Sequence, residues 1–161
     1  MFPPRLEALA ATVLAEAKAK GLRIATAESC TGGLIAGLLT EIPGSSEVFE
    51  RGFVTYSNAA KAELLGVPEA LLAAHGAVSE PVARAMAAGA LRRSRAGLAV
   101  AVTGIAGPGG GTAEKPVGLV HIVAAKDGQT LHQEHRFGEV GRSQVRLRTA
   151  ESALRLLLKL L

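Results

Sequence analysis

Leu6, Leu9, Ala10, Val13, Leu14 and Ala17 recur at helical spacing, predicting a one-faced helix that begins at Pro3 and Pro4 and stops at Gly21. Residues 22–27 read instead as a buried strand. A turn follows, and residues 33–40 read as a second helix in which Gly33 and Gly37 leave one side nearly bare, so that something packs closely against it. Pro43-Gly44-Ser45-Ser46 breaks the chain. Residues 49–56 then alternate as a strand, and Asn58 is the expected cap of a short helix ending at Gly66. Two further helices are predicted over 69–74 and, from a cap at Ser79, over 81–93, before a buried strand at 98–102.

Asp127-Gly128 lies between two strand-like runs, 117–125 and 129–137, which together read as a hairpin; a last helix runs from about Arg142 to the C-terminus. Five strands with interspersed helices predict an α/β fold, a three-layer α/β/α sandwich with a mixed, roughly five-stranded sheet. The pattern does not give the strand order. At 161 residues, the chain is expected to be one domain, 1–161.

Composition narrows the class. The chain is 48% hydrophobic but only 3% aromatic, which points to an aliphatic core. The net charge of +4 admits an anionic partner, yet the basic residues are scattered and do not interleave with the one Tyr and four Phe as base-stacking platforms would. A phosphorylated small molecule accounts for the excess as well as nucleic acid does, and no nucleic-acid partner is expected. Cys30 is the only cysteine, which rules out an internal disulfide and a thiolate-built zinc site and fits a reducing cytoplasm. Neither a signal-type apolar segment nor a spanning run of about 18 residues is present, so no membrane association or export is expected.

The candidate chemistry centres on Thr26-Ala27-Glu28-Ser29-Cys30-Thr31-Gly32-Gly33, a hydroxyl- and glycine-rich turn from strand to helix. Such turns present backbone N–H groups and a helix dipole to an anion, and Thr31, Gly32 and Gly33 are the expected donors. Ser29 could be a nucleophile, an oxyanion donor or a cap; no Gly-x-Ser-x-Gly elbow surrounds it. Cys30 reads as a small buried thiol pointing away from Ser29. The loop from Thr103 through Gly104, Ala106 and Gly107 to Gly111 has the composition of a ligand-covering segment. His132 and His135, three apart on a strand, point to opposite faces and make a poor metal pair. Lys61 is ordinarily a surface residue, but if a serine here hydrolyses an amide, no histidine sits at a motif position and lysine is the leading base. Its pKa would have to fall by about three units from 10.4 to supply neutral amine near pH 7. Arg142 opens the last helix and could fork onto a phosphate, whereas Arg146 and Arg148 read as an ordinary basic face. No Walker or dinucleotide glycine pattern is present, so neither ATP nor NAD is expected as a cofactor.

Four ordered segments carry a likeness: Ala27-Glu28-Ser29-Cys30-Thr31-Gly32-Gly33, Tyr56-Ser57-Asn58-Ala59-Ala60-Lys61, Gly76-Ala77-Val78-Ser79-Glu80, and Thr103-Gly104-Ile105-Ala106-Gly107-Pro108 with Lys115-Pro116-Val117-Gly118. Over nearly its whole length the chain resembles the CinA C-terminal family, the nicotinamide-nucleotide amidohydrolases, in a form without the extra N-terminal domain of longer members. The resemblance implies deamidation of nicotinamide mononucleotide by a metal-independent serine–lysine mechanism without a cofactor, in a homodimer. It places Ser29, Ser46, Tyr56, Lys61 and Thr103 in the pocket, with Arg142 at the start of the last helix. It favours Ser46 as nucleophile and Lys61 as base, with Tyr56 relaying a proton or orienting Lys61 and Ser29 being the reserve nucleophile or an oxyanion donor. Geometry opposes that choice, because a straight strand from 46 to 56 would span about 33 Å. Two rival readings are a nucleotide-sensing module without turnover and a competence-related accessory protein.

Overall fold

The computed structural model describes all 161 residues. Helix α1 (Pro4–Ala19) leads into β1 (Ile24–Glu28), α2 (Leu34–Thr40), a short 3-10 turn at Ser45–Glu47, and β2 (Phe49–Val54). Then come α3 (Asn58–Leu65), α4 (Glu69–His75), α5 (Glu80–Arg92), β3 (Leu98–Gly104), the hairpin β4 (Leu119–Lys126) and β5 (Gln129–Arg136), and α6 (Arg142–Leu160). The sheet order is β2-β1-β3-β4-β5. β1 is parallel to both β2 and β3, while β3–β4 and β4–β5 are antiparallel, which makes the sheet mixed, as the sequence predicts.

Alternation along the central strands divides the core in two. Ile24, Leu98, Val100, Val102, Val120 and Ile122 face α1, α2 and α6. Ala25, Ala27, Ala99, Ala101 and Ala125 face the layer of α3, α4 and α5. The alanine face lets α5 lie close to the sheet, and α5 in turn seats α3 closely. A Cβ built on Gly89 of α5 would lie 2.0 Å from the Leu65 carbonyl oxygen at the end of α3, so only glycine permits that approach.

Several boundaries differ from the sequence reading. Ser57, not Asn58, caps α3: its hydroxyl accepts a hydrogen bond from the Ala60 N–H at 3.0 Å. Both residues are good cap formers, and the choice rests on which carries the first helical turn. β2 ends at Val54, which leaves Tyr56 in the loop before α3. β1 runs on through Glu28 and β3 through Gly104, so both reach further toward the site than the apolar runs alone indicate. Ser79 caps α5 as predicted, accepting from Val82 N–H.

Candidate active site at the carboxyl ends of the parallel strands

β1, β2 and β3 all end on the same side of the molecule, and the loops leaving β1 and β3 diverge there. Crevices of this kind open where chain connections part outside the carboxyl ends of parallel strands. A cavity of about 290 Å³ occupies the spot, lined by Ser29, Lys61, Tyr56, Thr103 and Arg142 together with the backbone of the 104–110 loop. A larger groove, about 550 Å³, lies at the other end of the sheet against Leu22, Gly97 and the β4–β5 turn, and holds no constellation of nucleophile and base.

Lys61 is the most unusual residue of the site, with only 1% of its surface exposed. It projects from the first turns of α3 across the end of β2. Its Nζ lies 3.0 Å from Ser29 Oγ and donates to the Thr55 carbonyl at 2.8 Å, with the Tyr56 carbonyl at 3.4 Å. Burial disfavours the ammonium form and holds the Lys61 pKa below the usual lysine range. No carboxylate is within salt-bridge distance of Nζ, so its polar partners are neutral oxygens. A depressed amine facing a serine hydroxyl is the arrangement in which a lysine can take a proton.

Ser29 is held from several directions. Its N–H donates to the Val102 carbonyl at 3.1 Å, and its own carbonyl accepts from Gly32 N–H at 3.0 Å, closing a tight turn. Gly32 and Gly33 adopt left-handed φ values of 58° and 101°, a conformation that explains two consecutive glycines. The adjacent Glu28, 1% exposed, sends its carboxylate the other way to accept from Ile35 N–H at 2.9 Å and Ala36 N–H at 3.0 Å. Glu28 therefore occupies the N-terminus of α2. That corrects the expectation that Thr31, Gly32 and Gly33 cradle a substrate anion: the positive end of the helix is already neutralised from within, the Gly32 N–H is bonded, and none of the three lines the cavity. The sequence did carry a hint, since a carboxylate at the end of a fully buried strand must find donors.

The preferred nucleophile of the sequence reading is also displaced. Ser46 is exposed on the 3-10 turn at the start of β2, whereas Lys61 follows the end of that strand. Six residues at about 3.3 Å each put roughly 20 Å of strand between them. Ser29, the reserve, is the hydroxyl that meets the lysine. Ser57, as the α3 cap, is occupied elsewhere.

Thr103, Gly104, Ala106 and Gly107 line the cavity. Thr103 Oγ1 donates to the Ala77 carbonyl at 2.9 Å, so its proton fixes the 76–79 segment that forms the opposite wall. Gly104 and Gly107 have packing reasons too: a Cβ on either would come within 2.6 Å of a valine side chain, Val120 and Val117 respectively. Arg142 donates to the Gly107 carbonyl and to the Tyr56 hydroxyl, each at 2.9 Å, joining the glycine loop to the loop before α3 across the cavity mouth. Cys30 is buried, and burial pushes its thiol up to about 12. His132 stacks on His121 and His135 on Phe137, on opposite faces of β5 as the strand period requires.

The fold and the site together define an α/β sandwich domain that opens a buried serine–lysine pair onto a small-molecule-sized cavity. The chain belongs to the CinA C-terminal domain family, whose family model matches residues 6–161. A CinA-like protein of Anaeromyxobacter sp. (strain Fw109-5) is 54% identical over 157 residues, covering 98% of this chain and 38% of that protein. A CinA-like protein of Mycolicibacterium paratuberculosis is 55% identical over 161 residues, again 98% of this chain and 36% of the relative. The chain thus spans little more than a third of these curated relatives. Among solved structures, a competence/damage-inducible protein from Agrobacterium tumefaciens superposes with a TM-score of 0.98 at 56% identity, covering 99% of this chain and 98% of that one. A CinA superfamily protein from Escherichia coli gives a TM-score of 0.93 at 34% identity, over 100% and 94% of the two chains. No helix is long and apolar enough to cross a membrane.

Proposed function

We propose that the chain is an amidohydrolase that converts nicotinamide mononucleotide and water to nicotinate mononucleotide and ammonia, with Ser29 as nucleophile and Lys61 as general base. The observation that carries this reading is the buried Lys61 Nζ, 3.0 Å from Ser29 Oγ with no carboxylate beside it. The resemblance supplies the substrate, and the cavity of about 290 Å³ is at the small end of the range for ligand pockets.

Neutral Lys61 takes the Ser29 hydroxyl proton as Oγ attacks the carboxamide carbon. Backbone N–H groups of the 104–110 loop supply donors for the oxyanion, since the Thr103 hydroxyl is committed to Ala77. Lys61 returns the proton to the departing nitrogen, ammonia leaves, and an ester to Ser29 remains. Lys61 then deprotonates water, which attacks the ester and releases the carboxylate product with Ser29 protonated again. Arg142 and Tyr56 hold the mouth of the cavity, where the ribose phosphate would enter. The protein works as a homodimer in cytoplasm in this reading. Ammonia release from nicotinamide mononucleotide by purified protein is the test; no release by wild type, or full release by Lys61→Ala, would remove the proposal.

A further inference from the structure

Arg146 looks in the sequence like one more cation on a basic helix face. In the fold it points inward from the second turn of α6 toward the turn that carries Ser29. Its Nε donates to the Cys30 carbonyl at 3.2 Å and its Nη2 to the Thr31 carbonyl at 2.9 Å. Both acceptors are main-chain oxygens of consecutive residues, and the guanidinium has no carboxylate partner. The ion pairs of α6 belong instead to Glu151, with Arg5 and Arg155.

From this geometry we infer that Arg146 is a positioning residue for Ser29, acting through the Cys30 and Thr31 peptides; the inference rests on the serine–lysine reading of the site. A planar fork fits two successive carbonyls in a way that a single ammonium cannot. The grip completes a set of restraints. Val102 holds the Ser29 N–H, Glu28 holds the start of α2, and Arg146 fixes the two peptides between them. Those peptides include left-handed Gly32, which has the widest conformational freedom of any residue type and so most needs an outside restraint. The Thr31 peptide is also tied within the turn, by Gly32 N–H to Ser29 and Leu34 N–H to Thr31, whereas the Cys30 carbonyl has Arg146 as its only hydrogen-bond partner.

The test combines three readouts on Arg146→Ala and Arg146→Lys, with the exposed neighbour Arg148→Ala as control. Amide hydrogen exchange at Gly32 and Leu34, which donate to Ser29 and Thr31 carbonyls, should accelerate roughly tenfold or more in Arg146→Ala, while strand β3 stays protected. The rate of Ser29 labelling by a fluorophosphonate and kcat for nicotinamide mononucleotide should fall roughly 100-fold with KM within about threefold, the scale expected when a reacting group is misplaced by about 1 Å. Added guanidinium ion should restore part of the rate to Arg146→Ala, and Arg146→Lys should recover less than half of it. Unchanged exchange in the turn, or unchanged kcat and labelling despite faster exchange, overturns the inference. Wild-type protein inert to both phosphonate and amide, with exchange still accelerated in Arg146→Ala, would sink the serine–lysine reading and leave the grip on the turn standing.

Discussion

Glu28 and Ser29 are neighbours at the end of β1, yet they serve opposite helical layers: the Glu28 carboxylate closes the first turn of α2, and the Ser29 hydroxyl meets Lys61 of α3. Alternation carried from the last residue of β1 to the first beyond it thus separates the group that anchors α2 from the hydroxyl that meets Lys61.

The first prediction concerns the pair itself. Ser29→Ala and Lys61→Ala should each lower ammonia release by at least about 1,000-fold, and the double variant should be little worse than either, because the two act as a unit. Ser46→Ala, on the exposed turn at the far end of β2, should stay within about twofold of wild type. Steady-state kinetics on the four variants decides it.

The pH dependence follows from the sign of the Lys61 shift. Burial lowers that pKa, and in the proposed mechanism the active form is the neutral amine, so kcat/KM should rise with pH and level off before the ordinary lysine value near 10.4 is reached. Stability moves the same way. Between the lowered folded value and the ordinary unfolded one, the unfolded chain binds more protons, so the contribution of Lys61 grows as pH rises through that window and is lost as pH falls. Urea melts of wild type and Lys61→Met across the window should show wild type gaining on the variant at higher pH.

Glu28→Gln removes the charge and one of the two acceptor oxygens that close α2. One of the Ile35 and Ala36 N–H groups then loses its partner, at a cost of about 1–3 kcal/mol in denaturant-derived stability. Catalysis should drop with it, since the altered entry to α2 shifts the Ser29 turn.

Gly89→Ala tests the seating of the lysine helix. Its new methyl would run into the Leu65 carbonyl, and α3 must move as a body to make room. A loss of about 1–3 kcal/mol is expected, together with reduced ammonia release from a folded variant.

Cys30 should behave as wall and not as reagent. With its thiol pushed up to about 12, native protein at pH 8 should resist iodoacetamide and react only after unfolding, and Cys30→Ala should keep most of its activity.

What the sequence disclosed was local. The buried strands and the hairpin turn at Asp127-Gly128 follow from apolar runs and glycine chemistry, and they appear where the pattern predicts. The site was legible as a set of segments but not as a set of contacts. Ser46 and Ser29 are both hydroxyls near a glycine, and only the parallel pairing of β1 with β2 shows that one lies beside Lys61 and the other at the strand's far end. Arg146 was unreadable for a different reason: its partners are carbonyl oxygens, which every residue possesses. Strand order had no local signal, since the antiparallel addition of β4 and β5 to the parallel half depends on pairings between distant segments.

The β4–β5 hairpin turns at the end of the sheet opposite the cavity, with Lys126 paired to Gln129 while Val120 beside Gly104 marks the other end. Asp127 and Gly128 therefore offer a place to graft a fluorophore or an affinity peptide, giving a reporter on the molecule that leaves the reacting groups undisturbed.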